Sequence, residues 1–189
     1  MIHEAVITTL RADGAAHITP LGYREVDGLV LLAPFVPSQT LENLRRHPEA
    51  VLNFTTDVRV MAGALTGRRD WPAVPASRVA VPRLGNSLAH LELRVARVEE
   101  DAQRPRFWCE PVHRAMHAPF CGFNRAQSAV LELAILVSRL DWLPPEEVRH
   151  SITALSLAVE KTAGPAEREA WGWLADAVAA HPRHRAQVA

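Results

Sequence analysis

Ser38, Gln39 and Thr40 follow Pro37 and precede Leu41-Glu42-Asn43-Leu44, so two hydroxyls and an amide stand where a helix should begin. A helix start exposes unpaired backbone N–H groups and the positive end of the macrodipole, which together hold phosphate well. Ser38 is explained as an ordinary N-cap. Thr40, two residues on, is not. No capping box starts at Ser38, because the third residue on is Leu41 rather than Glu or Gln. All three side chains could therefore point outward, with Arg45 or Arg46 reaching back from about a turn along to supply charge. A phosphate site and an ordinary capped helix both fit this local pattern.

Cys109, His113, His117 and Cys121 recur every four residues, a spacing that puts them on one face of a strand or a helix. Their types suit zinc. Pro111 and Pro119 interrupt regular structure, however, and C-x2-C pairs are absent, so a strand end followed by a loop is preferred and no metal is expected. Ser128, Ser138, Ser151 and Ser156 lie outside any G-x-S-x-G elbow, so nothing signals a hydrolase. Trp142, Trp171 and Trp173 read as packing residues, whereas Trp71 lies in a proline-rich loop from which it could cover a ligand.

The elements that must position these residues divide near position 124. Before it, short apolar or alternating runs are broken by turn signals. Residues 5–10 are β-rich, Asp13-Gly14 makes a hairpin-type turn, and Ile18-Thr19-Pro20-Leu21-Gly22 follows. Asp27-Gly28 makes a second turn into residues 29–33. Residues 51–55 and 58–65 read as two further strands. Leu91, Leu93 and Val95 alternate with Glu92, Arg94 and Ala96, and residues 106–113 give one more strand. Six to eight strands with tight turns and one inserted helix indicate a β-barrel. The stretch 67–85, with Pro72, Pro75 and Pro82, is long for a structureless loop and reads as a lid, a dimer arm or disorder.

After 124 the period becomes helical. Ala126, Val130, Leu133, Val137 and Leu140 share a face. Pro144-Pro145-Glu146-Glu147 starts a second helix with the stripe Val148, Ile152, Leu155 and Val159. Gly164-Pro165 breaks it, and Trp171, Leu174 and Val178 mark a third. Residues 183–189 are expected to fray.

Composition sets the outer limits. With 189 residues, the chain is one domain or one domain with an appendage, large enough to build its own core. Its 21 basic residues balance 21 acidic ones, which does not favour nucleic acid. Two cysteines suggest no disulfide framework. Neither a signal peptide nor an apolar run of membrane-spanning length is evident, so no membrane association is expected and the location is read as cytoplasmic.

The segment from Pro37 to Leu44 followed by Val51-Leu52-Asn53-Phe54 resembles the helix-then-strand segment of flavin reductase-like FMN-binding split barrels. More closely, the chain resembles the domain-of-unknown-function family 447. Four segments carry this in order: Ile7-Thr8-Thr9 through Asp13-Gly14 to Pro20-Leu21-Gly22; Thr40 through Asn43-Leu44; Asn53 through Thr55 and Asp57; and Gly122-Phe123-Asn124-Arg125-Ala126 leading to Glu132 and Arg139.

The resemblance implies an α+β, mainly β chain: an FMN-binding split β-barrel over residues 1–123 and a three-helix extension over 124–189 packed on the barrel or the dimer interface. It implies a homodimer with FMN at the subunit interface. Ser38, Gln39 and Thr40 would bind the phosphate. Thr9, Pro20, Leu21 and Gly22 would lie near the isoalloxazine ring. Asn53 and Thr55 would contact the ring edge or ribityl chain. Asn124 and Arg125 would complete the site or anchor the helical part. A flavin-dependent oxidoreductase and a flavin carrier without turnover both fit. The cofactor brings the redox chemistry, so no dedicated acid–base pair is required. No G-x-G-x-x-G is present, so a nicotinamide or deazaflavin donor would bind transiently over the flavin.

Overall fold

The computed structural model describes residues 1–184; residues 185–189 of the expected frayed end lie outside them. The described residues form two compact units, one of residues 1–55 and 70–120, the other of residues 56–69 and 121–184.

The first unit is a closed six-stranded barrel. β1 (His3–Leu10) and β2 (Ala16–Val26) form a hairpin, and β3 (Leu29–Leu32) follows the Asp27-Gly28 turn. Both turn residues have positive φ, 50° and 81°, as a two-residue turn matched to strand twist requires. Helix α1 (Gln39–Arg46) leads to β4 (Glu49–Phe54). Short strands β5 (Ala73–Val74) and β6 (Arg83–Leu84) pair only with each other, while β7 (Ala89–Glu99) and β8 (Arg106–Met116) complete the barrel in the order β1-β2-β3-β8-β7-β4. Ile7, Leu32, Leu52, Leu91, Leu93 and Phe107 fill the interior, and α1 contributes Leu41 and Leu44 to the same cluster. Period-two alternation therefore gives each of these strands an inner and an outer face.

The proline-rich stretch is an ordered strap. Val79 and Val81 pack on outward-facing Val51. Three outward-facing polar side chains then hold its backbone: Glu49 accepts the N–H of Ala80 at 2.8 Å, Asn53 accepts that of Leu84 at 2.7 Å, and Glu92 accepts those of Ser77, Arg78 and Val79 at 2.8, 2.6 and 3.0 Å. Trp71 is half-buried within it.

The second unit is helical. Residues 58–65, expected as a strand, form helix α2 (Arg59–Leu65). Asp57 accepts the N–H of Arg59 and pairs with its guanidinium at 2.8 Å, starting the helix. Gly67, at φ 82°, ends it while Arg68 donates back to the Gly63 carbonyl. Val58 and Ala62 pack among Val130, Leu133, Ala170 and Leu174. A nearly continuous apolar run has no period of its own, and this helical partner decides it. Helices α3 (Arg125–Val137), α4 (Pro145–Thr162) and α5 (Pro165–Ala180) appear where the apolar stripes place them, except that α3 ends before Leu140, which packs from the following turn. Glu167 reaches back to the N–H of Gly164 at 3.0 Å, fixing the start of α5. At the expected frayed end, His184 is buried with its ring on the Leu140 carbonyl at 2.9 Å. Among the described residues no helix is long and apolar enough to cross a membrane.

Candidate functional site

The start of α1 follows a cis Val36-Pro37 bond. Ser38 is the N-cap, its hydroxyl accepting the N–H of Leu41 at 3.3 Å. Gln39 lies along the helix and donates to Asn43 at 3.0 Å, and Thr40 is buried. The three side chains therefore do not all point outward. Among the described residues nothing accepts from the N–H groups of Gln39 and Thr40, the first two helical donors.

The arginines of α1 serve other partners. Arg45 pairs with Glu100 at 2.6 Å, and Arg46 donates to the Leu10 carbonyl and to Asn43. The cation tied to the loop entering α1 is instead Arg104. It donates to the Ala33 carbonyl at 2.9 Å and lies over the Phe35 ring, 4.2 Å from its centroid. Phe35 and Val36 are exposed, 61% and 44%, an apolar patch next to the helix start. Nothing in the sequence spacing singled out Arg104, because it reaches Ala33 and Phe35 from some seventy positions along the chain.

Thr9 is fully buried at the end of β1 and accepts the side-chain amide of Asn43 at 2.9 Å, tying the strand to α1. Pro20 and Gly22 lie on the outer face of β2, opposite Val6 and Glu4, while Leu21 turns inward to pack on the core. A Cβ on Gly22 would stand 3.1 Å from Ile2, so the glycine allows that close approach. Asn53 is fully buried and its amide is fully engaged: Nδ2 faces the Val6 carbonyl and Thr8 hydroxyl at 3.1 and 2.9 Å, and Oδ1 holds Leu84. Thr55 is half-buried just beyond β4.

In the helical unit, Asn124 caps α3. Its Oδ1 accepts the N–H of Ala126 at 2.8 Å and its Nδ2 donates to the Thr162 carbonyl at 3.0 Å, locking the start of α3 to the end of α4. Arg125 is exposed in the first turn.

Cys109 and His113 do not share a face. Glu92 pairs with His113 but Leu93 pairs with Pro111, so Val112 is a bulge residue. That extra residue shifts the alternation. Cys109 stays in the barrel, its thiol pushed up to about 12 by burial, while His113 joins Glu92 outside. There Glu92 Oε1 meets His90 Nε2 at 3.0 Å, and His90 Nδ1 meets His117 Nε2 at 2.8 Å. Burial raises the Glu92 carboxyl, but its hydrogen bonds to Ser77, His90, Arg78 and Val79 outweigh that and hold it low. His90 and Glu92 are fully buried, His113 is half-buried and Cys121 is exposed.

No curated protein matches the chain. The family described as protein of unknown function (DUF447), N-terminal domain, matches residues 3–118, and the description protein of unknown function (DUF447) matches residues 124–176. Among solved structures, the FMN-bound protein MM1853 from Methanosarcina mazei, of the same family, superposes with a TM-score of 0.80 at 18% identity, over 93% of this chain and 94% of that one. The NADH:FAD oxidoreductase SgcE6 of Streptomyces globisporus gives 0.53 at 14% identity, over 61% of this chain and 76% of that one. The styrene monooxygenase flavin reductase of Pseudomonas putida S12 gives 0.50 at 14%, over 62% and 82%. At these identities the likeness is one of fold, the flavin reductase-like split barrel.

Proposed function

The chain belongs to the DUF447 family, and from that premise we propose that it is a homodimeric, cytoplasmic FMN-binding protein acting as a flavin-dependent oxidoreductase. The observation that carries this reading is the start of α1, where the N–H groups of Gln39 and Thr40 are open beside a buried threonine and an exposed apolar patch. Near-full-length likeness to an FMN-bound protein supports it.

On this reading the phosphate accepts the two open N–H groups and the Thr40 hydroxyl, at the positive end of the α1 dipole. Ser38 preserves the helix start that presents them. Arg104, fixed on Ala33 and Phe35, supplies positive charge to the same loop. Phe35 and Val36 offer apolar surface to the ring or to the second protomer. Thr9 and Asn53, both committed to internal bonds, hold β1, α1 and the strap in place rather than donating to the ligand. When bound, FMN supplies a ring that accepts or delivers hydride, and the protein supplies orientation and electrostatics.

The test has two arms. The purified chain should bind FMN about stoichiometrically and in preference to riboflavin; equal affinity for both would remove the phosphate assignment. Anaerobic mixing with NADH, NADPH or a reduced deazaflavin should then bleach the bound flavin with one donor. Failure with every donor, with binding intact, would make the protein a flavin carrier.

A further inference from the structure

On the outer face of the barrel, away from the inward-facing core, two imidazoles and a carboxylate converge. His90 and Glu92 sit two apart on β7, so both side chains leave the same face. His113 stands directly across from Glu92 on β8, and the bulge at Val112 puts it there. One ligand atom from each of the three lies within 4.8 Å of the other two. From this geometry we infer that His90, Glu92 and His113 form a binding site for a divalent first-row cation such as Zn2+, independent of the proposed flavin site.

The hydrogen bonds around the cluster fit that role. Oε2 of Glu92 takes the N–H groups of Arg78 and Val79, whereas Oε1 takes only that of Ser77 from the backbone. Its remaining lone pair faces His90 Nε2 at 3.0 Å. A cation there takes the place of the proton between Nε2 and Oε1, and His90 then carries its single ring N–H on Nδ1. The other ring nitrogen of His90 then donates to His117 Nε2 at 2.8 Å, with the two rings only 7° from coplanar. A metal-bound imidazole that donates its second N–H to a fixed acceptor is oriented and made more basic. Glu92 is locked in turn by the strap, so two of the three donors are preset. A set of two His and one carboxylate on one side of an ion leaves its other positions open for water or a substrate oxygen.

The sequence alone does not reveal the set. His113 and His117 stand out by spacing, but their partners come from β7, and the cysteines flanking them do not take part.

The experiment is a Co2+ titration of the full chain after chelator treatment, followed by visible absorption, with Zn2+ competition. We expect about one equivalent bound at pH 7.5, displaced by Zn2+. His113→Ala should abolish the spectrum, and His117→Ala should weaken binding by about tenfold or more while leaving the ion's donor set in place. Circular dichroism confirms that the variants fold, and His113, being half-buried, is the safer removal. No Co2+ spectrum, or a spectrum unchanged in both His90→Ala and His113→Ala, would overturn the inference. Flavin content measured on the same samples keeps it separate from the FMN reading, since loss of one need not follow loss of the other.

Discussion

The side-chain oxygen of Asn53 accepts the backbone N–H of Leu84 at 2.7 Å, and its amide nitrogen lies within bonding distance of Val6 and Thr8 on the neighbouring strand. One buried amide thus joins β1, β4 and the strap. Asn53→Ala leaves the Leu84 N–H without this acceptor, at a cost of about 1–3 kcal/mol for the unpaired group. Urea unfolding should show that loss without any flavin present. Unchanged stability together with weakened FMN would instead make Asn53 a ligand-contacting residue.

Thr40→Ala tests the proposed phosphate site. A hydrogen bond to a charged group contributes roughly 1.5–3 kcal/mol, so FMN affinity should fall about tenfold or more. Riboflavin, which lacks the phosphate, should be nearly unaffected. Fluorescence titration of the two flavins in parallel gives the comparison, and an equal loss for both would move Thr40 away from the phosphate.

Arg104 provides a second test of the same loop. Arg104→Gln removes the charge and the stack on Phe35 while keeping a polar side chain. FMN binding should weaken and lose part of its salt dependence, because a screened charge is gone. A variant with the salt dependence of the parent would assign Arg104 to packing alone.

Acid should loosen the strap. Burial pushes the Glu49 carboxyl up, but the N–H of Ala80 and the bonds from Arg94 and His47 outweigh it and hold it below its ordinary value. A carboxylate lowered in the folded state stabilises that state above its unfolded pKa of about 4.3, and this contribution disappears as pH falls through the folded value. Thermal unfolding should therefore show a falling midpoint below about pH 5, and a shallower one in Glu49→Gln. Identical profiles would remove Glu49 from the acid response.

The two thiols should differ sharply. Cys109 lies inside the barrel with its pKa pushed up to about 12, so it stays a protonated, inaccessible thiol at pH 8. Cys121 is exposed. Ellman's reagent should titrate a single thiol in the native protein and both in guanidinium. Two fast thiols would mean the barrel opens readily.

Much of the fold was legible because its signals are local. Asp27-Gly28 and Asp13-Gly14 are turn chemistry written in adjacent residues, and the stripes of α3, α4 and α5 repeat at helical period within one segment. Ser38 announces the start of α1. The nearly continuous apolar run of residues 58–65 carries no period, and its strand-like composition misled. The resemblance of four separated segments to an FMN-binding split-barrel family gave the fold class and the cofactor expectation, which periodicity alone does not supply.

What the sequence determined by itself was most of the elements, the inner face of β7 and the position of one helix start. Tertiary structure decided which polar residues meet. Asn43 spends its amide on Thr9, Arg45 and Arg46 turn to Glu100 and Leu10, and Arg104 comes to the α1 loop from far along the chain. A single bulge residue, Val112, separates Cys109 from His113 and brings the latter beside Glu92 and His90. The reason is physical. Backbone periodicity is fixed within a few residues, whereas side-chain partnership depends on register between strands, and one inserted residue reverses the face of everything beyond it.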